Sequence, residues 1–489
     1  MIMKRTAAVV LAASMAAASL FGCGQAGDKQ AEAPQETAAK QTAGQQDATQ
    51  KGEGESSADG AISKDMTATL RLSGPGLFTT VGENGSMDLV TGAQKPGYKE
   101  VIERWNELYP NVTVEVETAP WDNWTAALQT AALSGQVDIL LHGASVTAVA
   151  EPLDSYLEKD PEIKDAVSML AVRKSEKDAS YADFVTYGMS VTVNPVVAVI
   201  DKSILEHYGV AVPDKSWTLE DMKDIAKNCT GTDPVTGKQT YGISMIKASQ
   251  AEKNYIWAGR AMNNKVFDYQ DKIKDSTVNF NTDNTKEVLD YVAEFYQYSN
   301  PDYIEGLDLG NAYKEENDLA MVIVEEPFNS YNQIKVAGLE DRFMFMQLPA
   351  ISGGEYDGIS ASHMGDWNMA ICNTSTQKEL AWEFIKFMVT DEVVQDWIVR
   401  ACAIPSNIEG GSNLPSVMPK QYYEPINDTI AHFPSAFSLQ ANDTYNSIDF
   451  GSFSTDIGTV LNEMFLGNMT ADEAAAKVQA NVDEYMKSK

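Results

Sequence analysis

The sequence predicts an α/β fold, and three observations carry that expectation. Met66-Thr-Ala-Thr-Leu70-Arg-Leu72 alternates apolar and polar residues as a strand does, and so do Val112, Val114 and Val116. Between them Tyr98, Val101, Ile102, Trp105 and Leu108 fall at helical spacing, with Pro110 closing the helix. A second helical run, Ala127, Leu128, Ala131 and Ala132, closed by Gly135, leads into the apolar strand Val137–Leu141 and then His142-Gly143. Strand, helix and strand in that order imply parallel pairing.

The elements that follow keep to the pattern. Phe184 to Ile200 is a long extended stretch interrupted by Gly188 and Pro195. Thr218-Leu-Glu-Asp221 opens a helix through Ala226 with a capping-box arrangement, and Thr232–Gly237 is a loop before Tyr241. Helices are predicted over Thr285–Tyr298 and Gln377–Met388. A second capping box, Thr470–Glu473, starts a terminal helix with Ala474, Ala475, Val478 and Val482 on one face. Ser73-Gly-Pro-Gly76 is expected to break the first strand, and Gly365-Asp366 reads as a turn before a strand from Asn368 to Ile371.

The N-terminal segment carries an address. Lys4 and Arg5 precede an apolar run, Ala7 to Leu20, which is shorter than the ~20 residues a membrane-spanning helix needs. Leu20-Phe21-Gly22-Cys23 resembles the lipobox of bacterial lipoproteins, Phe21 departing from the usual small residue. Residues 1–22 are thus expected to be a signal peptide and Cys23 the lipidated mature terminus. Residues 23–65, rich in Gln, Ala, Glu, Gly, Ser and Thr, are expected to be a disordered tether, because so few large apolar side chains cannot offset the entropy of ordering. Beyond it no apolar stretch approaches membrane-spanning length, and a lipid anchor at Cys23 is the expected membrane attachment.

Composition bounds the partners. The 489 residues carry 70 acidic against 37 basic side chains, a formal charge of -33, which repels nucleic acid and anionic lipid. After Cys23 only Cys229, Cys372 and Cys402 occur, an odd number without metal-ligand spacing; they read as buried thiols, with a Cys372–Cys402 disulfide left open. There is no Gly-x-Ser-x-Gly elbow, phosphate loop, dinucleotide fingerprint or His-Glu-x-x-His. His142, His207, His363 and His432 are scattered, and no metal or cofactor is expected. Glu325-Glu326 suggests an acid–base pair, but neighbours on a strand point to opposite faces and cannot flank one bond. The chain reads as a binding protein, not an enzyme.

A set of ordered segments resembles the extracellular solute-binding proteins of sugar-type ABC transporters, family 1. They include Tyr109–Val112 with Trp121, Leu128–Gly135 into Val137-Asp-Ile139, Glu151-Pro-Leu-Asp154, and Tyr187-Gly188. Later come Gly209-Val with Pro213 and Ser216-Trp-Thr218, Ala320-Met321, Leu348-Pro349, Ala381–Phe387 and Gly467–Ala474. Ile200-Asp201-Lys202 departs from the family's usual Tyr-Asn-Lys. The resemblance implies a two-lobed, periplasmic-binding-protein-like α/β fold of type II, its hinge crossed three times, near Val191–Val193, Met364–Asp366 and Ile404–Pro405. Residues 66–190 plus 367–404 would form the N-terminal lobe, and 191–366 plus 405–489 the C-terminal lobe.

The same resemblance implies a monomer that captures a small-molecule ligand, a sugar and most simply an oligosaccharide, and delivers it to ABC transporter permease subunits outside the cytoplasm. A sugar offers apolar C–H faces and a rim of hydroxyls, so its site needs flat aromatic surfaces and hydrogen-bonding side chains. Trp367 and Asp366, at the second crossing, are the first candidates. Phe328 matches a stacking position, with core packing as the rival reading, and Phe453 matches another aromatic contact. His142 and Ser145 lie in a loop matching a ligand contact, although His142 also reads as a turn cap. Trp121 is preferred to Trp124, which lies at helical spacing with core positions. Asn194, in the first crossing, is a candidate hydroxyl partner, and Glu326, with Glu325 and Asp366, raises a cationic solute such as a polyamine or amino sugar. A module that signals to a membrane receptor is the other alternative.

Overall fold

The computed structural model describes residues 62–487 apart from 88–91, 93, 122, 169, 175–183, 247–250, 269–274, 305–311, 355 and 433–449. The expected signal peptide, Cys23 and most of the expected tether lie outside the described residues. Contacts divide the chain into Met1–Glu53 and Gly54–Lys489, and all described residues belong to the second unit.

Strand β1 (Ala68–Gly74) runs parallel to β2 (Val112–Thr118), in register from Ala68 opposite Val112 to Gly74 opposite Thr118. On its other side it runs parallel to β3 (Ile139–Leu141). Helices α1 (Lys99–Leu108) and α2 (Trp124–Leu133) make the connections, as parallel pairing demands. Next come β4 (Leu170–Lys174), β5 (Phe184–Pro195), β6 (Val197–Asp201), β7 (Met321–Val324), β8 (Phe343–Gln347) and β9 (Met364–Ile371). One sheet has the order β2-β1-β3-β9-β5-β4, with β9 antiparallel to both neighbours; the other is the antiparallel trio β7-β6-β8.

Two boundaries differ from the sequence reading. The first strand continues through Ser73-Gly74, because Gly74, with φ 133°, lets β1 pass against β3: a Cβ there would lie 2.4 Å from the Leu141 carbonyl oxygen. The turn expected at Gly365-Asp366 is strand, because β9 starts at Met364 and pairs Met364, Gly365, Asp366 and Trp367 with Pro195, Asn194, Val193 and Thr192 of β5. Pairing across the sheet overrides a weak local propensity. The three cysteines among the described residues are free thiols, so Cys372 and Cys402 are not joined, and Cys402 is only half buried.

The six-stranded sheet is covered on both faces. Leu72, Ile139, Leu141, Met189, Met369 and Ile371 pack with Trp105 of α1 and with Trp382 and Phe384 of α7 (Lys378–Thr390). On the other face Leu140, Tyr187 and Ala370 pack with Leu128 and Ala132 of α2. The smaller sheet is apolar throughout because it too is sandwiched. Ala198, Ile200, Met321 and Ile323 meet Met222 of α3 (Leu219–Asn228) and Trp257 of α4 (Glu252–Ala261), while Val197, Val199 and Phe345 meet Tyr331 of α6 (Pro327–Ala337). Between α4 and α6 lies α5 (Asp283–Phe295), capped by Thr282, and the terminal α8 (Ala471–Lys487) packs on the same core through Ala474, Ala475, Val478 and Val482. Both predicted capping boxes form: Thr218 with Asp221, and Thr470 with Glu473, each residue's side chain bonding the other's backbone N–H.

Three segments lead from one sheet to the other, and they lie side by side. Pro195, which has no N–H to extend a ladder, ends β5, and Val196 instead donates to the His363 carbonyl. Val193 donates to the Ile404 carbonyl at 2.9 Å, and Ser406 to Val191 at 3.0 Å. Val193, Met364 and Ile404 share one buried apolar cluster.

Candidate functional site

The carboxyl ends of the parallel strands converge, and in open α/β sheets ligands bind in the crevice beyond such ends. His142 is the first residue past β3. It holds a left-handed conformation, φ 58° and ψ 27°, sparsely populated for a residue with a Cβ. Its backbone N–H donates to the Asn368 carbonyl at 2.6 Å, which pins the turn to β9. Gly143 follows because a Cβ there would come 2.3 Å from Leu140 Cβ.

Two tryptophans meet the His142 ring edge to face. Trp121, beyond the end of β2, has its ring centre 5.2 Å away at 77°, and Trp124, on the first turn of α2, 5.0 Å away at 62°. The two indoles are 5.9 Å apart at 81°. Trp121 is 43% exposed, whereas Trp124 is half-buried against the cluster around Leu128. Edge-to-face packing of this kind leaves ring faces for apolar C–H surface.

Polar groups line the same face of the sheet. Asp366 Oδ2 accepts from the Ser190 hydroxyl at 2.7 Å and from Asn368 Nδ2 at 3.1 Å. The buried Asn368 amide also approaches His142 Nδ1, 3.5 Å away, and its Oδ1 accepts from the Ala144 N–H at 3.0 Å. Gly188 makes room: a Cβ there would press on Asn368 Oδ1, Ala144 Cβ and the Met369 carbonyl. An ionised carboxylate accepts about four hydrogen bonds, so Asp366 keeps capacity after binding these two donors.

Asp366 and Asn368, two apart on β9, share a face; Trp367 points to the other. There it is half-buried and packs with Met369 and Ile371 against the α1–α7 side of the sheet. The expected joint action of Trp367 and Asp366 on one ligand therefore meets a register that separates them. Phe328 is 5% exposed, within the apolar cluster of Tyr331 and Phe345. Ser145 is exposed on the turn after His142, and Asn194 is half-buried opposite Gly365. Phe453 falls in the helix Phe450–Phe465, its side chain outside what the structure describes.

The antiparallel trio presents one end to this region, because Val324, the last residue of β7, pairs with Val197, two residues past Pro195. Glu325 and Glu326 follow directly, Glu326 as the residue preceding α6. Lys253 Nζ meets Glu325 Oε1 at 2.7 Å. Burial raises the neighbouring Glu252 carboxyl above its ordinary value, and Glu325 adds to the rise. His363, at the second passage between sheets, is buried with its basicity lowered well below that of a free imidazole, first by desolvation and then by the charges of Arg260 and Lys253. Arg260 Nη1 donates to the Ser362 carbonyl at 2.6 Å.

Sequence reasoning missed four of these residues. Trp124 stands second to Trp121 because its spacing matches the helix core, Ser190 lies unmarked in a long extended stretch, and Lys253 has no local signal. Asn368 was read only as the start of a strand, although the alternation of Asp366 and Asn368 places both on one face.

Among the described residues no group of three or more His, Cys, Asp or Glu could hold a metal ion, and no helix is long and apolar enough to cross a membrane. The family model described as bacterial extracellular solute-binding protein matches residues 91–395. A binding protein of Brucella abortus (strain 2308) is 23% identical over 319 residues, 62% of this chain and 69% of its own. Among solved structures, the sugar-binding protein MalE of Xanthomonas citri superposes with TM-score 0.64 at 16% identity, over 86% of this chain and 98% of that one. An ABC substrate-binding protein of Listeria monocytogenes in complex with cycloalternan gives 0.61 at 16% identity, over 86% and 100%. A solute-binding protein of Agrobacterium radiobacter K84 in complex with ribitol gives 0.62 at 15%, over 87% and 99%. At such identities these likenesses establish the two-lobed fold.

Proposed function

Because the chain belongs to the bacterial extracellular solute-binding proteins, we propose that it is the extracytoplasmic, lipid-anchored binding component of an ABC import system, capturing a carbohydrate and delivering it unchanged to the permease. The observation that carries this reading is the pairing of Trp121 and Trp124 around His142 with the Asp366–Asn368–Ser190 network. Indole faces cover the C–H surface of a sugar ring, and Asp366 accepts protons from its hydroxyls. Across from them Glu325 and Glu326 begin the edge of the second lobe, with Asn194 and Gly365 in the segments between. A ligand touching both edges favours the closed arrangement by its added contacts, and the three adjacent passages between the sheets act as the hinge.

The related proteins solved with cycloalternan and with ribitol support a polyhydroxyl ligand. The cationic-solute reading is weakened by Lys253, which already neutralises Glu325. Anchoring follows from the Gly22-Cys23 motif, and export from the basic and apolar segment before it.

The test is calorimetric titration and thermal shift against neutral mono- and oligosaccharides, cycloalternan and ribitol included, with spermidine as the cationic comparison. A true ligand at a hundred times its dissociation constant stabilises the fold by about 2.7 kcal/mol. Binding of spermidine alone would replace this reading with the cationic one.

A further inference from the structure

We infer that Ser406, on the third passage between the sheets, is a positioning residue of the sugar site, fixing Ser190 so that its hydroxyl orients the ligand acceptor Asp366. The inference deepens the carbohydrate reading and rests on it for the ligand alone.

The device begins with an extra residue in β5. Trp367 pairs with Thr192 and Asn368 with Ser190, so Val191 stands opposite no residue of β9 and makes a β-bulge. A bulge breaks the ladder that would otherwise fix the backbone, and it re-aims the side chains beside it. Ser190 is so aimed: its hydroxyl donates to Asp366 Oδ2 at 2.7 Å. Ser406 holds the bulge in place. Its hydroxyl donates to the Ser190 carbonyl, and its backbone N–H to the Val191 carbonyl, 3.0 Å away. Ser406 is pinned in turn, because its own carbonyl accepts from the N–H and the hydroxyl of Ser168, at 2.8 and 3.0 Å.

The direction of each bond is settled by its acceptor, since carbonyl and carboxylate oxygens only accept. Ser190 and Ser406 are both 0% exposed, so water does not compete for their hydroxyls, and they act on a ligand only through Asp366. Ser190 borders the first passage between the sheets, Asp366 the second and Ser406 the third. The acceptor of the ligand is therefore oriented by all three segments about which the proposed closure turns.

The test reads structure and affinity separately. In a ligand-free crystal structure of Ser406→Ala the Ser190 hydroxyl is expected to leave Asp366 Oδ2, whereas wild type keeps that bond. Ser406→Cys, which retains the volume with only a weak donor, takes its place where the alanine variant fails to fold. A Ser190–Asp366 bond unchanged in the folded variant overturns the inference. In maltotriose titrations of the full chain, Ser406→Ala is expected to lower affinity about fivefold and Ser190→Ala about tenfold. The double variant is expected to lose about tenfold, no more than Ser190→Ala alone, because the two residues act in one chain. Losses that multiply to about fiftyfold would give Ser406 an effect independent of Ser190 and overturn the inference as well. Wild-type protein that binds neither maltotriose nor any other sugar overturns the carbohydrate reading, and the pair of crystal structures then decides the positioning role by itself.

Discussion

Lys253, on the first turn of α4, holds both oxygens of Glu325, the residue after β7, at 2.7 and 2.9 Å. Their side chains are 18% and 23% exposed, so water screens the pair only in part. Removing one partner of such a pair strands the other charge, whereas removing both removes the problem. Lys253→Met is expected to lower the unfolding free energy by about 2 kcal/mol, and Lys253→Met with Glu325→Gln to recover most of it. Urea denaturation of both variants measures this. Equal stability of wild type and the single variant would show the pair to be idle.

The buried His363 gives the fold an acid limit. Its pKa is depressed, so below the unfolded value of about 6.5 the unfolded chain takes up a proton that the folded chain refuses. Stability is therefore fully present above that value and declines as pH falls toward the depressed folded value. Between pH 6.5 and 5.5 the wild-type unfolding free energy is expected to drop by about 1 kcal/mol from this residue. In His363→Gln that component disappears. Guanidinium titrations at the two pH values read the difference, and identical slopes for the two proteins would remove His363 from the account.

At His142 a left-handed backbone coincides with a proposed ligand contact. Relieving its left-handed backbone with glycine gains about 1 kcal/mol, offset by a similar loss of chain entropy. His142→Gly is thus expected to melt close to wild type while losing sugar affinity about tenfold, by the lost edge-to-face partner that holds both indoles. A large fall in melting temperature would make His142 a structural turn residue.

The parts of the fold set by local rules were legible in the sequence. The helix after Thr470 and the strand Ile139–Leu141 carry their own caps and periodicity. The start of β9 was hidden because Gly365-Asp366-Trp367 has no strand pattern of its own; its strand geometry is imposed by pairing with distant β5. At the candidate site, His142 is legible because it directly follows a buried strand, in a loop that the family resemblance marks as a ligand contact. Trp124 packs on the Leu128 cluster, as its helical spacing predicts, and an indole is large enough to reach His142 as well. Lys253 joins the region from α4, packed on the smaller sheet, through a contact no local window contains.

Trp121 and Trp367 make the sharpest comparison, because the sequence gives both the look of a stacking tryptophan. Trp121 is 43% exposed, so Trp121→Ala removes little buried surface and is expected to cost less than about 1 kcal/mol of stability. Its affinity loss for a bound sugar is expected to reach about thirtyfold, the cost of truncating a binding aromatic by roughly 2 kcal/mol. Trp367 packs on the opposite face of β9 with Met369 and Ile371. Being half-buried, it should cost about 2 kcal/mol of stability on truncation, below the 3–5 kcal/mol of a fully buried tryptophan, with affinity changed no more than about threefold. Measuring melting and titration for both variants gives a double contrast that a shared role cannot produce. If Trp367→Ala keeps its stability and loses its ligand, the indole reaches the cleft after all, and the sugar lies across the strand edge between Trp367 and Asp366.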